Sequence, residues 1–566
     1  MTAAVALLAP FVEAEVFEPA DVHVATRLCT LAKESDERVA LAAAFVVRAV
    51  RSGSVCVDLR SVAEQVGRPE LPWPDPDAWL AAVRAGPLTT DPPVLRFVDD
   101  LLYFDRYWRE EQQVRDDVLA LLDTAPPAAV PGLERLFPAG WDEQRRAAEV
   151  ALAQSLTVLT GGPGTGKTTT VARLLALLAE QAELSDRPRL RIALAAPTGK
   201  AAARLAEAVR VEVDKLDAAD RDRLGELTAS TLHRLLQRRP GSSSRFRHHR
   251  ENRLPHDVVV VDETSMVSLT LMARLLEAVR PDSRLLLVGD ADQLASVEAG
   301  AVLADLVEGL GGRDDVRVAA LQTSHRFGAD IGTLAAAIRT GDAEAVLELL
   351  RAGGNHVEWL DVEEPTERLR APLLAQATLL RDAAILGDAA AAARVLDAHR
   401  LLCAHRRGPF GVAHWNQQVQ RWLADATGEP LWSQWYPGRP VLVTANDYGL
   451  GLFNGDTGVT VLHGDALQVV IGGARFRPSR LADVETMHAM TIHKSQGSQA
   501  DEVTVLMPPP DSRLLTRELF YTAVTRAKTR VRVVGPESAI RAALDRRALR
   551  ASGLARRLRR EPSALR

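Results

Sequence analysis

Cysteine is scarce: the 566 residues hold three, Cys29, Cys56 and Cys403. An odd, scattered set argues against a disulfide framework or a zinc cluster and suits a reduced, cytoplasmic setting. Long apolar runs are absent too. No stretch of about 18 uncharged apolar residues occurs, and the first residues lack a basic segment followed by an apolar one, so neither a membrane span nor a signal peptide is expected. Lysine is rarer than its partner cation: of 69 Lys and Arg residues only Lys33, Lys167, Lys200, Lys215, Lys494 and Lys528 are lysine. Arginine serves wherever either cation would do, so a persisting lysine marks a place where a compact ammonium is needed in place of a planar fork. The formal charge of −5 is unevenly spread, since residues 1–100 hold 15 acidic and 9 basic side chains. The remainder is near neutral, which leaves room for a local basic groove.

A chain of this length is expected to hold about three or four domains. Residues 1–110 alternate apolar helical stretches with polar breaks and read as a helical domain. A proline-punctuated linker is expected over 111–135. From 136 to 345 β-prone runs alternate with helical segments, the pattern of a parallel sheet covered on both faces. Its strand candidates are 156–160, 190–196, 258–261, 285–288 and 316–321. A second α/β domain is expected over 346–566, with strands near 401–404, 503–507 and 531–534. Short strands and glycine turns over 437–485 suggest a small β-barrel inserted in it.

Within the first α/β region, Gly161-Gly162-Pro163-Gly164-Thr165-Gly166-Lys167-Thr168 fits G-x-x-x-x-G-K-[ST], followed by Thr169. Such a loop wraps a nucleotide's phosphates with backbone N–H groups while its lysine reaches the terminal ones. Its flanks fit: Leu156–Thr160 is β-prone, and Val171, Leu174, Leu175 and Leu178 follow at helical spacing. The helix N-terminus then adds its own unpaired N–H groups. A valine run, 258–261, ends in Asp262 and Glu263. In P-loop enzymes a strand-end Asp holds Mg²⁺ together with the loop hydroxyl, here Thr168, and a neighbouring Glu can polarise the attacking water. A third apolar strand delivers Gly289-Asp290-Ala291-Asp292-Gln293, where Gln293 is placed to sense a γ-phosphate or orient water.

These motifs, with Ala196-Pro197-Thr198-Gly199-Lys200, Ala489-Met490-Thr491-Ile492-His493-Lys494-Ser495-Gln496-Gly497 and Tyr521-Thr522-Ala523-Val524-Thr525-Arg526-Ala527-Lys528, resemble superfamily 1 DNA helicases. Residues 402–412 and Gly451-Leu452-Phe453-Asn454-Gly455-Asp456 are similar, within that superfamily, to the RecD-type alpha subunits of exodeoxyribonuclease V. The resemblance is strong over about 140–535 and weak before it. It implies two RecA-like P-loop domains, with ATP in the cleft between them and single-stranded DNA across their top. Gln144 matches a glutamine that reads adenine, Gly497 joins the nucleotide site, and Arg326 and Arg526 match two phosphate-contacting arginines. The implied DNA track is Thr198, Lys200, Thr231, His233, Thr491, His493, Lys494 and Gln496, groups that hold phosphates without reading sequence. With aromatics at 5% of the chain, such backbone contacts outweigh stacking.

The basic stretch within 237–256 stands where related helicases carry a strand-separating pin. One departure is Gln499, where a glutamate is usual. Implied partners are single-stranded and duplex-end DNA and RecB-like and RecC-like subunits, the acidic N-terminal region serving as a docking module. No Asp…Glu-x-Lys nuclease constellation is seen, so cleavage is assigned to a partner. A stand-alone RecD-like helicase, a non-unwinding regulatory subunit and an RNA motor stay open as alternatives. The first of these lacks support in a helix-hairpin-helix pattern.

Overall fold

The computed structural model describes residues 6–124, 132–239, 245–313, 316, 318–323, 329–429, 433–447, 449–548 and 550–559. Its centre is a six-stranded, all-parallel sheet in the order Ala229–Thr231, Ile192–Ala196, Val258–Val261, Arg284–Gly289, Leu156–Gly161, Ala319–Leu321. Strands covered on both faces carry unbroken apolar runs, because successive side chains enter opposite layers. Val258 and Val260 join the layer under helix Lys167–Leu184, whereas Val259 and Val261 join the one under helix Leu269–Ala278. One short strand, Ala229–Thr231, was not expected; it owes its form to pairing with Leu194–Ala196.

The second α/β domain holds a five-stranded parallel sheet in the order Val357–Leu360, Ala527–Val534, Ala500–Leu506, His399–Cys403, Ala489–Thr491. Helix Ala329–Thr340 packs into this second core through Ile331, Leu334 and Ile338, so the change of domain precedes residue 345. The expected barrel needs correction. Residues 440–486 form an antiparallel sheet ordered Ala474–Phe476, Ala466–Ile471, Thr457–His463, Pro440–Val443, Val484–Thr486. The end strands have three residues each and do not pair with one another, so among the described residues the sheet stays open.

The N-terminal domain is helical around Phe11, Phe17, Phe45 and Trp79, and it adds a three-stranded antiparallel sheet of Cys56–Asp58, Leu101–Phe104 and Leu95–Val98. Helix Asp105–Leu122 runs through the first half of the stretch expected as a linker. Val114, Val118 and Leu121 recur on its face toward helix Leu269–Ala278. The chain end also departs from the expected division. Helix Leu554–Arg559 leaves the second domain and packs on Val302–Gly311 of the first. Gly309 permits that approach: a Cβ there would meet Leu558 Cβ at 2.8 Å and Ala555 O at 3.0 Å. No helix among the described residues is long and apolar enough to cross a membrane.

Candidate nucleotide and strand-binding site

Strand Leu156–Gly161 delivers the glycine loop to the carboxyl edge of the first sheet, and helix Lys167–Leu184 starts where the loop ends. Gly166 caps that helix at φ 85°, a left-handed conformation in which glycine is unstrained. The loop is tied by its own side chains. Thr165 Oγ1 donates to Gly162 O at 2.9 Å, Thr170 Oγ1 donates to Gly166 O at 2.9 Å, and Gln144 Nε2 donates to Thr165 O at 3.4 Å. Lys167 folds its ammonium onto the carbonyls of Gly161 and Gly162. Those two glycines therefore hold the lysine, while Pro163, Gly164, Gly166, Thr168 and Thr169 face a cavity of about 910 Å³. That volume suits a nucleotide-sized ligand.

Both domains wall this cavity: Gln144, Asp262, Glu263 and Gln293 belong to the first, and Gly497, Gln499 and Arg526 to the second. Asp262 accepts the Glu263 N–H at 2.9 Å. Burial and the neighbouring Glu263 carboxylate push its pKa up to about 6, against the pull of that N–H and of Lys167. Glu263 sits at φ 51°, a left-handed backbone that costs a non-glycine residue about 1 kcal/mol or more. A cation between Asp262 and a phosphate would relieve the burial of that carboxylate. Mg²⁺ is commonly held by one or two protein oxygens plus phosphates and water, which fits the donors present. No cluster of three metal-ligating side chains occurs among the described residues.

The seam beside the cavity is closed by polar contacts between domains. Arg526 Nη2 donates to Gln293 Oε1 at 2.9 Å across the seam, while its Nε is anchored within its own domain on Thr522 O at 3.0 Å. Tyr521 donates to Asp290 Oδ2 at 3.1 Å, and the same oxygen accepts Gln293 Nε2 at 2.9 Å. The Leu294 N–H donates to Thr522 Oγ1 at 2.9 Å while Leu294 O accepts Gln496 Nε2 at 2.7 Å. Gln496, expected on the strand track, is thus buried in the interdomain seam. Its amide nitrogen is committed to that backbone carbonyl. Tyr521 and Thr522 were missed as seam residues although they stand in a motif singled out above; their helical spacing does not show which face meets the other domain. Arg326 lies outside the described residues.

Three of the expected strand contacts repeat one local device. Thr198, Thr231 and Thr491 cap helices at strand ends, each accepting an N–H three residues on, at 3.2 Å. An N-cap hydroxyl used this way keeps its proton free to donate outward. Lys200 reaches Gly455 O at 3.3 Å. Burial, then Arg400 and Arg204, pull its pKa down to about 8. His233 packs 5.8 Å from the Phe246 ring, and burial lowers its pKa. His493 is lowered by burial, then by Arg550 and Arg406. Lys494 pairs with Glu485 Oε2 at 2.8 Å.

Lys494 and Thr491 also line a groove of about 1070 Å³ between helix Val412–Thr427 and the antiparallel sheet. Arg406, Arg407, Arg421, Asn416 and Gln420 share it; none of the five was named as a strand contact from the sequence. The Arg406-Arg407 pair was the available signal. In the region expected as a pin, Arg239 N donates to Arg245 O at 3.1 Å and Arg247 N to Gln237 O at 2.8 Å, a hairpin base. Residues 240–244 lie outside the described residues.

Residues 13–103 match the family model described as RecBCD enzyme subunit RecD, N-terminal domain. Residues 144–299 match an AAA domain and 486–534 a UvrD-like helicase C-terminal domain. The RecBCD enzyme subunit RecD of Mycolicibacterium smegmatis is 70% identical over 547 residues, covering 96% of this chain and 98% of that one. The subunit of the same name from Mycobacterium tuberculosis is 68% identical over 553 residues, 97% of this chain and 96% of its own. Among solved structures, a Bacteroides Pif1 helicase with ADP-AlF3 and ssDNA aligns over 70% of this chain and 91% of that one, at 17% identity and a TM-score of 0.38. With two such relatives matched almost end to end, the chain belongs to the RecD family of RecBCD enzyme subunits.

Proposed function

We propose that this chain is the ATP-dependent DNA helicase subunit of a RecBCD-type exodeoxyribonuclease V, moving 5′ to 3′ on single-stranded DNA in the repair and recombination of double-strand breaks in the cytoplasm. The observation that carries the reading is the two-domain cavity, in which the glycine loop, Asp262 and Glu263 face Arg526 and Gly497 of the other domain. Its named relatives add RecB-like and RecC-like subunits as partners. The acidic N-terminal domain is the docking module.

In this reading Gln144 meets the adenine, the loop N–H groups and Lys167 hold the phosphates, and Thr168 and Asp262 would hold Mg²⁺, which would neutralise phosphate charge. Glu263 orients and deprotonates the attacking water, and Gln293 reports the γ-phosphate to Arg526. Closure of the second domain completes the site, and the threonine caps, Lys200, His233, His493 and Lys494 grip the strand in alternation between domains. Forked duplexes with a 5′ or a 3′ single-stranded tail test it. Unwinding is expected with the 5′ tail and ATP, and is to vanish when ATP is withheld. Preference for the 3′ tail would reverse the polarity, and ATP-independent unwinding would remove the engine.

Lys200 adds a pH signature. With a pKa of about 8 its ammonium is mostly charged at pH 7 and mostly neutral at pH 9. Strand affinity is expected to fall about tenfold across that interval, the weight of one charge-assisted phosphate contact. Lys200→Arg is expected to flatten the profile, so an equal fall in the variant would remove Lys200 from the track. The folded chain sheds this proton before the unfolded chain does, so the same group adds stability as pH rises from about 8 toward the ordinary lysine value.

A further inference from the structure

A cavity of about 300 Å³ lies where the N-terminal domain meets the second α/β domain. Arg48, Gln65 and Arg68 line it from the former, and Asp511, Arg513 and Arg546 from the latter. One carboxylate, Asp511, shares the wall with four arginines, and of these Arg68 is paired with Glu70 at 3.6 Å. Arg546 donates to the backbone carbonyls of Ser512, Leu515 and Pro510, and Arg513 Nη2 donates to Glu15 O at 3.3 Å. The half-buried Arg48 side chain makes no hydrogen bond or ion pair among the described residues; its guanidinium lies 5.9 Å from the Phe45 ring centroid. Burial, then Arg513 and Arg51, lower its pKa against the opposing pull of Asp21, so two guanidiniums from separate domains repel across this seam. Within an N-terminal region of net negative charge, such a convergence calls for an anion with oxygens to spare, and a phosphate matches the guanidinium fork.

The source of that phosphate follows from connectivity. Arg406 and Arg407 line the groove beside Lys494, and their neighbour His405 shares a 2.8 Å hydrogen bond through Nε2 with Ser512 Oγ. Ser512 O in turn holds Arg546. One hydrogen-bonded segment therefore joins the groove wall to the cavity wall. We propose that Arg48, Arg513 and Arg546 form a phosphate site that takes a backbone phosphodiester of the single strand after it passes the groove. The N-terminal domain thereby becomes part of the strand path. This rests on the DNA-motor reading above.

The test uses the full-length chain and the Arg48→Gln, Arg513→Gln double variant, with oligothymidylates graded in length and a salt series. Arg546 is left intact because it holds the loop. The variant is expected to bind short strands as the parent does and to lose about tenfold affinity for strands long enough to reach the cavity. Its dependence of log affinity on log salt is to fall by about 1 for the long strands only. DNA-free ATPase stays at the parental rate, which reports an intact fold. Equal binding at every length would overturn the proposal. So would normal strand binding with loss of partner-subunit assembly, which gives the cavity to an acidic protein segment. Thermal stabilisation of the parent, but not the variant, by inorganic phosphate with unchanged strand binding would make it a free-anion site and end the strand assignment. A parent that binds no strand at all would fail the motor reading itself.

Discussion

Arg526→Ala is expected to lower DNA-stimulated ATP turnover by about 10³ or more while nucleotide affinity changes little. The guanidinium is buried, faces the cavity from the second domain and is held by Gln293 Oε1 and Thr522 O. A group that reaches the γ-phosphate only when the domains close stabilises developing charge more than bound substrate, so its loss falls on kcat. Arg526→Lys is not expected to rescue, because an ammonium cannot serve Gln293, the Thr522 carbonyl and a phosphate oxygen from one fixed plane. Gln293→Ala is expected to be costly too. The double variant should be no worse than Arg526→Ala alone, since the two side chains act through one contact. Steady-state kinetics with saturating single-stranded DNA measures all three. A large rise in KM with kcat retained would move Arg526 from transition-state stabilisation to ground-state binding.

The difference between what the sequence disclosed and what it hid follows the range of the interactions. The glycine loop was legible because everything that shapes it is local: a β-prone run, a glycine that accepts φ 85°, and an apolar helix. Val258–Val261 was equally plain, a four-residue apolar run with carboxylates at its end. Strands Ala229–Thr231, Val357–Leu360 and Ala489–Thr491 were missed since each has three or four residues and takes its form from a parallel neighbour. Helix Asp105–Leu122 was hidden in part by its charge, which outweighs the Val114, Val118 and Leu121 stripe on average hydropathy. Gln496 shows the limit for the site. Its motif named the right neighbourhood, but whether the amide faces solvent or Leu294 O depends on how two domains dock, and residue spacing carries no such information.

Arg557→Met is expected to destabilise the protein by about 3–5 kcal/mol, the usual consequence of removing one partner from a buried ion pair. Glu111 and Arg557 are almost fully buried and meet at 3.0 Å. Glu111 Oε1 also accepts Ser552 Oγ at 2.7 Å and Gly553 N at 3.1 Å, so one carboxylate fastens the returning chain end to helix Asp105–Leu122. Without the guanidinium, that carboxylate stays in an apolar seam with Asp305 nearby, whose own pKa is raised by burial and then by Glu111. The double variant Glu111→Gln, Arg557→Met is expected to recover much of the loss, because no charge is then stranded. The pH dependence has a definite sign. Burial already holds the Glu111 pKa above the ordinary carboxyl value, and loss of Arg557 removes the largest influence opposing it. A raised folded-state pKa means that the folded protein takes up the proton first, so the deficit of the single variant shrinks as pH falls toward the ordinary glutamate range and grows above it. Urea unfolding of parent, single and double variants at mildly acid and mildly alkaline pH reads this directly. A deficit that is independent of pH, or a double variant no better than the single, would mean that the pair acts through shape and not through charge.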